Sequence, residues 1–197
     1  MMAAYMEHRN LSNESIGLER TRRIADGVHR VLDCIAGAES AAGREAGSVR
    51  LLAATKTRDV GEIMAAIDAG VRMIGENRPQ EVVAKIDGLR RQCAARGLTL
   101  GAGEPVESGE NPAGGRSGGL ADGPAGAAVG HIPFHLIGQL QSNKINKVLP
   151  VVDAIESVDS VELAEKIARR AVAAGTTVGV LLEVNESGEA SKSGCDP

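Results

Sequence analysis

Aromatic side chains are almost missing from this chain: Tyr5 and Phe134 stand alone, and there is no tryptophan. A platform of stacked rings for single-stranded nucleic acid has nothing to be built from, and the core must be aliphatic. Strong charge of one sign is missing too. A formal net charge of -4 argues against a polyanion as the main partner, so nucleic acid is not expected. Cysteine is scarce: Cys34, Cys93 and Cys195 are far apart and in no CxxC spacing. That pattern suggests neither a disulfide framework nor a zinc cage, and it suits a reducing cytosol. No stretch approaches the roughly 20 apolar residues that span a bilayer, and the start MMAAYMEHRNLSNES lacks the apolar run of a signal peptide. The expectation is a soluble, cytoplasmic protein with no membrane partner and no metal.

What is present supports one substantial core, since 43% of the 197 residues are hydrophobic. Ile24, Val28, Val31, Leu32 and Ile35 fall at helical spacing and predict an amphipathic helix within 15–42. VRLLAAT (49–55) then reads as a strand buried on both faces. Asp59 and Glu62 have the form of a capping box, followed by Val60, Ile63, Met64 and Ile67 on one helical face until Gly70. VRMIG (71–75) predicts a second strand, and Pro79 opens a second helix with Val82, Val83, Ile86, Leu89 and Cys93 on its inner face. FHLIG (134–138), VDAIES (152–157) and TVGVLLEV (177–184) read as further strands. Between them lie a short helix, SNKINKVL, ended by Pro150, and a longer one opened by a second capping pattern, Asp159 with Glu162. Strands alternating with helices predict an α/β fold on a parallel sheet, open or closed. The 101–130 segment is rich in Gly, Pro, Ala and Ser without apolar period, and is expected to be a disordered insertion in a single domain.

In such folds chemistry collects at the carboxyl ends of the strands. Lys56, Glu76 with Asn77, Gln139 to Asn143, Ser157 and Asn185 follow the five strands in turn, and His135 lies inside the third. Taken singly each has a plain explanation. Lys56 is a long side chain that leaves its charge in water, His135 a hydrogen-bonded structural histidine, Asn77 a helix cap.

Together the blocks LLAATKT, GENRPQE, FHLIGQLQSNK and LLEVNESGEASKSG, in this order and spacing, closely resemble the pyridoxal phosphate homeostasis protein family, single-domain relatives of the alanine racemase barrel. The resemblance runs from about Val49 onward, apart from the insertion. It implies a partial (β/α)8 TIM-type barrel with about five βα units after an N-terminal helix. It also implies that Lys56 carries pyridoxal 5'-phosphate (PLP) as a Schiff base, with Asn77 and His135 lining the cofactor ring. An amine attacks an aldehyde only when deprotonated, so partial burial of Lys56 at the end of an apolar strand is expected. Ser191 and Lys192 match the SKxG loop of the family.

Two departures stand out. Arg78 and Pro79 follow GEN where the family usually has an aromatic. Without 101–130 the chain falls below the roughly 200-residue lower end of complete eight-stranded barrels, so the last three βα units, with the family's phosphate loops, are expected to be absent. The function implied is a non-catalytic, monomeric carrier of PLP that serves intracellular vitamin B6 homeostasis and hands the cofactor to apo-enzymes. The alternatives are a PLP-dependent racemase or decarboxylase, for which a second acid-base group is wanted and the only tyrosine is Tyr5; a cofactor-free barrel aldolase using Lys56; and an interaction module using the basic QSNKINK face.

Overall fold

A computed structural model describes residues 10–102, 130–189 and 191–196. Tyr5 and nearly all of the expected insertion, 103–129, lie outside the described residues. The first helix is α1 (Leu18–Ala41). Its Ile24, Val28, Leu32 and Ile35 are half-buried, whereas Val31, expected inside, is exposed because only a narrow stripe of α1 meets its neighbour.

That neighbour is α2 (Val60–Asp68), whose start is fixed by its own sequence. Asp59 Oδ1 accepts from the Glu62 amide at 2.9 Å while Glu62 Oε2 accepts from the Asp59 amide at 3.4 Å, the capping box read from the sequence. Arg20 of α1 reaches the same glutamate at 2.7 Å. Past the helix end Gly70 takes a φ of 117°, which a residue with a Cβ resists. In α3 (Pro79–Ala94) the proline sits in the first turn as expected. The other expected cap is corrected. Ahead of α5 (Val161–Ala173) it is Ser160, not Asp159, whose side chain accepts from the Leu163 amide, because Ser160 is the residue in extended conformation next to the helix.

The strands are β1 (Ala53–Ala54), β2 (Ile74–Glu76), β3 (Thr99–Leu100), β4 (His131–Ile132), β5 (Phe134–Leu136), β6 (Ala154–Val158) and β7 (Gly179–Leu182). A 3-10 turn (Ser142–Lys144) leads into the short α4 (Ile145–Val148), two residues ahead of Pro150. One sheet has the order β1-β2-β5-β6-β7 with every pairing parallel. The order never reverses, unlike that of a doubly wound sheet, which has a switch point. Right-handed crossovers then place the connecting helices on one face. Ile74, Phe134, Leu136 and Ile155 meet Ile63, Met64, Ile67, Val82, Ile86 and Leu89 in a dry aliphatic core around Phe134.

Strand alternation sends the intervening residues to the opposite face. Gly75 shows this directly, since a Cβ there would meet Leu52 and Ile137. The expectation that the 49–55 strand is buried on both faces therefore fails at the sheet edge. Ala54 is exposed, and so are all four residues of β7, the other edge of the sheet among the described residues.

The pair β3–β4, not expected from the sequence, brings the ends of the 103–129 segment together, with Thr99 opposite His131 and Leu100 opposite Ile132. Pro133, which has no N–H to give, separates β4 from β5 and marks the change of partner strand. His131 binds Thr99 Oγ1 at 2.9 Å through Nδ1 and Asp153 at 3.4 Å through Nε2. The hydrogen bond to Asp153, and secondarily its charge, raise the His131 pKa against the pull of burial. A folded value above the unfolded one, near 6.5, means this pair stabilises the fold fully below that pH. The contribution is lost as pH rises through the folded value. The urea midpoint should accordingly fall between about pH 6 and pH 8, and His131→Gln should flatten that slope.

Candidate functional site

Lys56 occupies the second position of a tight turn made by residues 55–58, immediately beyond β1. The Arg58 amide closes it onto the Thr55 carbonyl at 3.0 Å, and Thr57, third in the turn, has a φ of 64°. A positive φ at that position belongs to a type II turn, which ordinarily uses glycine. In a β-branched threonine it stores about 1–3 kcal/mol of strain and persists only where the surroundings impose it. Lys56 itself is exposed. The burial expected from its apolar strand is not found, because the turn lifts its side chain clear of the strand end.

Directly beneath the turn lies a buried ion cluster. Lys85 of α3 is 0% exposed, and its Nζ donates to Glu76 Oε2 at 2.5 Å, to Glu81 Oε2 at 3.0 Å and to the Thr55 carbonyl at 3.0 Å. Glu81 Oε2 also accepts from the Thr57 amide at 2.9 Å. The Thr55 hydroxyl lies within hydrogen-bonding distance of Glu76 Oε2 and of the Gly75 carbonyl, at 3.1 and 3.0 Å. Charges taken this far from water stand only when paired and hydrogen-bonded. Four of these contacts end on the backbone or side chain of residues 55–57. Glu76, expected to face the site from the end of its strand, points instead to the helix side and is fully buried.

Asn77 follows β2, half-buried, its amide donating to Glu76 Oε1 at 2.8 Å. It is not the cap of α3; Arg78 stands there in extended conformation, with no side-chain cap bond. Gly138 lies so close against the Asn77 carbonyl that any side chain would collide with it, and the Gly138 carbonyl accepts from Ser157 Oγ at 2.7 Å. His135 lies in register with Gly75 and Ala154, buried, its Nδ1 2.6 Å from Glu156 Oε1. By register and alternation Ala54, Gly75, Asn77 and His135 share the face away from the helices. Lys56, Asn77 and His135 thus come from neighbouring strands of one sheet, with His135 deeper and tied to its carboxylate. Ser191 and Lys192 are exposed on a loop that touches Gln139, beyond β5, through Ser193. Asn185 is turned to its own loop, donating to the Glu189 carbonyl at 3.1 Å.

No family model matches the chain. Curated relatives do. The pyridoxal phosphate homeostasis protein of Pseudomonas aeruginosa is 32% identical over 174 residues, which is 88% of this chain and 59% of that protein. Over most of its length the chain is similar to members of the pyridoxal phosphate homeostasis protein family. It spans about 59% of the length of the first of these family members. Among solved structures, an unknown protein from Bifidobacterium adolescentis is 70% identical, with a TM-score of 0.81 over 96% of this chain and 65% of its own. PipY of Synechococcus elongatus is 30% identical. Its PLP-free structure has a TM-score of 0.53 and its PLP-bound structure one of 0.50, each over 80% of this chain and 56% of PipY.

The donor set fits the aldehyde and ring end of that cofactor: a primary amine in the open, a carboxamide after the neighbouring strand, and an imidazole–carboxylate pair on the same sheet face. Among the described residues no group of three or more His, Cys, Asp or Glu could hold a metal ion, and no helix is long and apolar enough to cross a membrane. Sequence reasoning missed Lys85 and Glu81. A signal was there: Lys85 is three residues after Val82 and four before Leu89, in phase with the apolar face of α3. It was masked because Glu81 and Lys85 also have the spacing of an exposed i,i+4 pair.

Proposed function

We propose that the chain is a non-catalytic, cytoplasmic carrier of PLP that takes part in vitamin B6 homeostasis and serves apo-enzymes as a monomer. Its sheet is read as part of the wall of a (β/α)8 barrel in a single domain. The unreversed strand order, with helices on one face and Gly75, Asn77 and His135 on the other, supports that reading.

The observation that carries the function is the exposed Lys56 amine, mounted on a strained turn that buried charges fix to the end of a parallel strand. Lys56 Nζ would hold PLP at its aldehyde carbon, and the bound cofactor would supply an electrophilic carbon kept at one place on the protein. In this reading Asn77 would orient the ring plane, and His135, held by Glu156, would present one fixed imidazole edge. Gly138 and Ser157 keep the Asn77 loop from drifting.

Adding PLP should produce a visible absorbance band that Lys56→Ala abolishes, with the borohydride-trapped adduct mapping to Lys56 by mass spectrometry. Labelling spread over surface lysines, or a band that survives Lys56→Ala, would sink the proposal. Turnover of amino acids by the loaded protein would make it an enzyme instead.

A further inference from the structure

The four contacts beneath residues 55–57 have a use beyond keeping charges paired. We propose that Glu81 and Lys85 are positioning residues for Lys56, a clamp that holds the Thr57 backbone at positive φ and thereby presents the amine in one direction; this rests on the reading of Lys56 as the attachment point for PLP. The geometry divides the work. Glu81 Oε2 holds the Thr57 amide at 2.9 Å, on the far side of Lys56, and Lys85 Nζ holds the Thr55 carbonyl at 3.0 Å, on the near side. Glu81 and Lys85 are themselves joined at 3.0 Å, so both flanks of the lysine are tied to one turn of α3. Glu76 anchors the far end of Lys85 to β2.

Nothing local would keep the turn in this form, because threonine resists a φ of 64°. With the clamp released, Thr57 relaxes toward negative φ and Lys56 loses its fixed direction. The other oxygen of Glu81, Oε1, is buried without a hydrogen-bond partner among the described residues, and the Arg78 guanidinium stands 3.9 Å from it. The carboxylate is therefore spent on the turn and on Lys85 through a single oxygen, a role that an amide oxygen can also fill.

The test uses the full chain, with PLP as the probe. The rate of borohydride-trapped labelling at Lys56 is measured beside the hydrogen-exchange protection of the Thr57 amide, at a temperature where every variant is folded. Glu81→Leu is the informative variant, because it leaves Lys85 balanced by Glu76. It is expected to slow labelling at least tenfold, the scale of loss that follows when a reacting group is no longer held in place, and to abolish protection at Thr57. Glu81→Gln keeps an accepting oxygen and should restore both to within about twofold of the parent, which a general loss of packing would not do. Lys85→Met should behave as Glu81→Leu where it folds. Labelling of Glu81→Leu within twofold of the parent overturns the clamp, as does an unprotected Thr57 amide in the parent. A parent that is not labelled although its Thr57 amide is protected overturns the PLP reading, and with it the purpose given to the clamp.

Discussion

Lys85→Met is expected to destabilise the fold by about 3–5 kcal/mol, the loss seen when one partner is removed from a buried ion pair. The side chain has nearly the right length and no charge, so little packing is lost. What remains is two carboxylates, Glu76 and Glu81, facing one another where water cannot reach, with the Thr55 carbonyl left to the Arg58 amide alone. Against a total stability of roughly 5–15 kcal/mol this is a large fraction. The melting temperature should drop by about 10 °C or more. Replacing Glu76 and Glu81 by leucine in the same chain should recover part of the loss, because an apolar cluster avoids the desolvation that the charges incur. It cannot recover all of it, since the Thr57 and Asn77 amides then lack their acceptors. Calorimetry of the single and triple variants checks both statements. A Lys85→Met protein that melts within a degree of the parent would show that the cluster is hydrated in solution.

Phe134→Ala should cost about as much, roughly 3–5 kcal/mol, by a different route. Phe134 is 0% exposed, the one phenyl ring in the core formed by the described residues, and its strand is central, paired on one side to β2 and on the other to β6. Its backbone carbonyl and amide are engaged by Asp153, the carbonyl by the Asp153 amide at 2.8 Å and the amide by Oδ2 at 2.8 Å. The strand therefore cannot shift to close the hole. Surrounding aliphatic side chains fill such a void poorly, since each sits in its own rotamer well at crystal-like density. Phe134→Leu, which keeps much of the volume, should lose less than half as much. Urea midpoints at constant slope measure the difference. Equal losses for Ala and Leu would mean that the ring fills no tightly packed site.

Both sites show which parts of the molecule were legible beforehand. The capping box of α2, the proline that opens α3 and the order of strands and helices follow from neighbours in the chain, and the structure has them where the pattern put them. Burial was read less well. Val83 was assigned to the inner face of α3 by its apolar character, yet it is 47% exposed while Lys85 two positions on is fully buried. Hydrophobicity ranks residues one at a time, whereas the slot is filled by whichever side chain completes a set drawn from β1, β2 and α3. The three candidate site residues are singled out by four motifs together, and the sheet brings them to neighbouring strands. The device that mounts the first of them was not legible, because an acid and a base four residues apart look the same on a wet helix as in a dry one. The strained turn was equally hidden, since nothing in TKTR calls for positive φ without a glycine.

The unreversed strand order has a consequence for synthesis. A chain leaving the ribosome forms β1, then β2 beside it, and later β6 and β7 each against the strand just completed, so docking involves short searches between segments near in sequence. One step differs: β5 must find β2 across the whole of α3, β3 and β4. The entropy of closing that loop rises only with the logarithm of its length, and the β3–β4 pairing shortens it by drawing together the two sides of the intervening segment. Assembly from the amino end should therefore pause once, between the first two strands and the rest, and then run on to the carboxyl end.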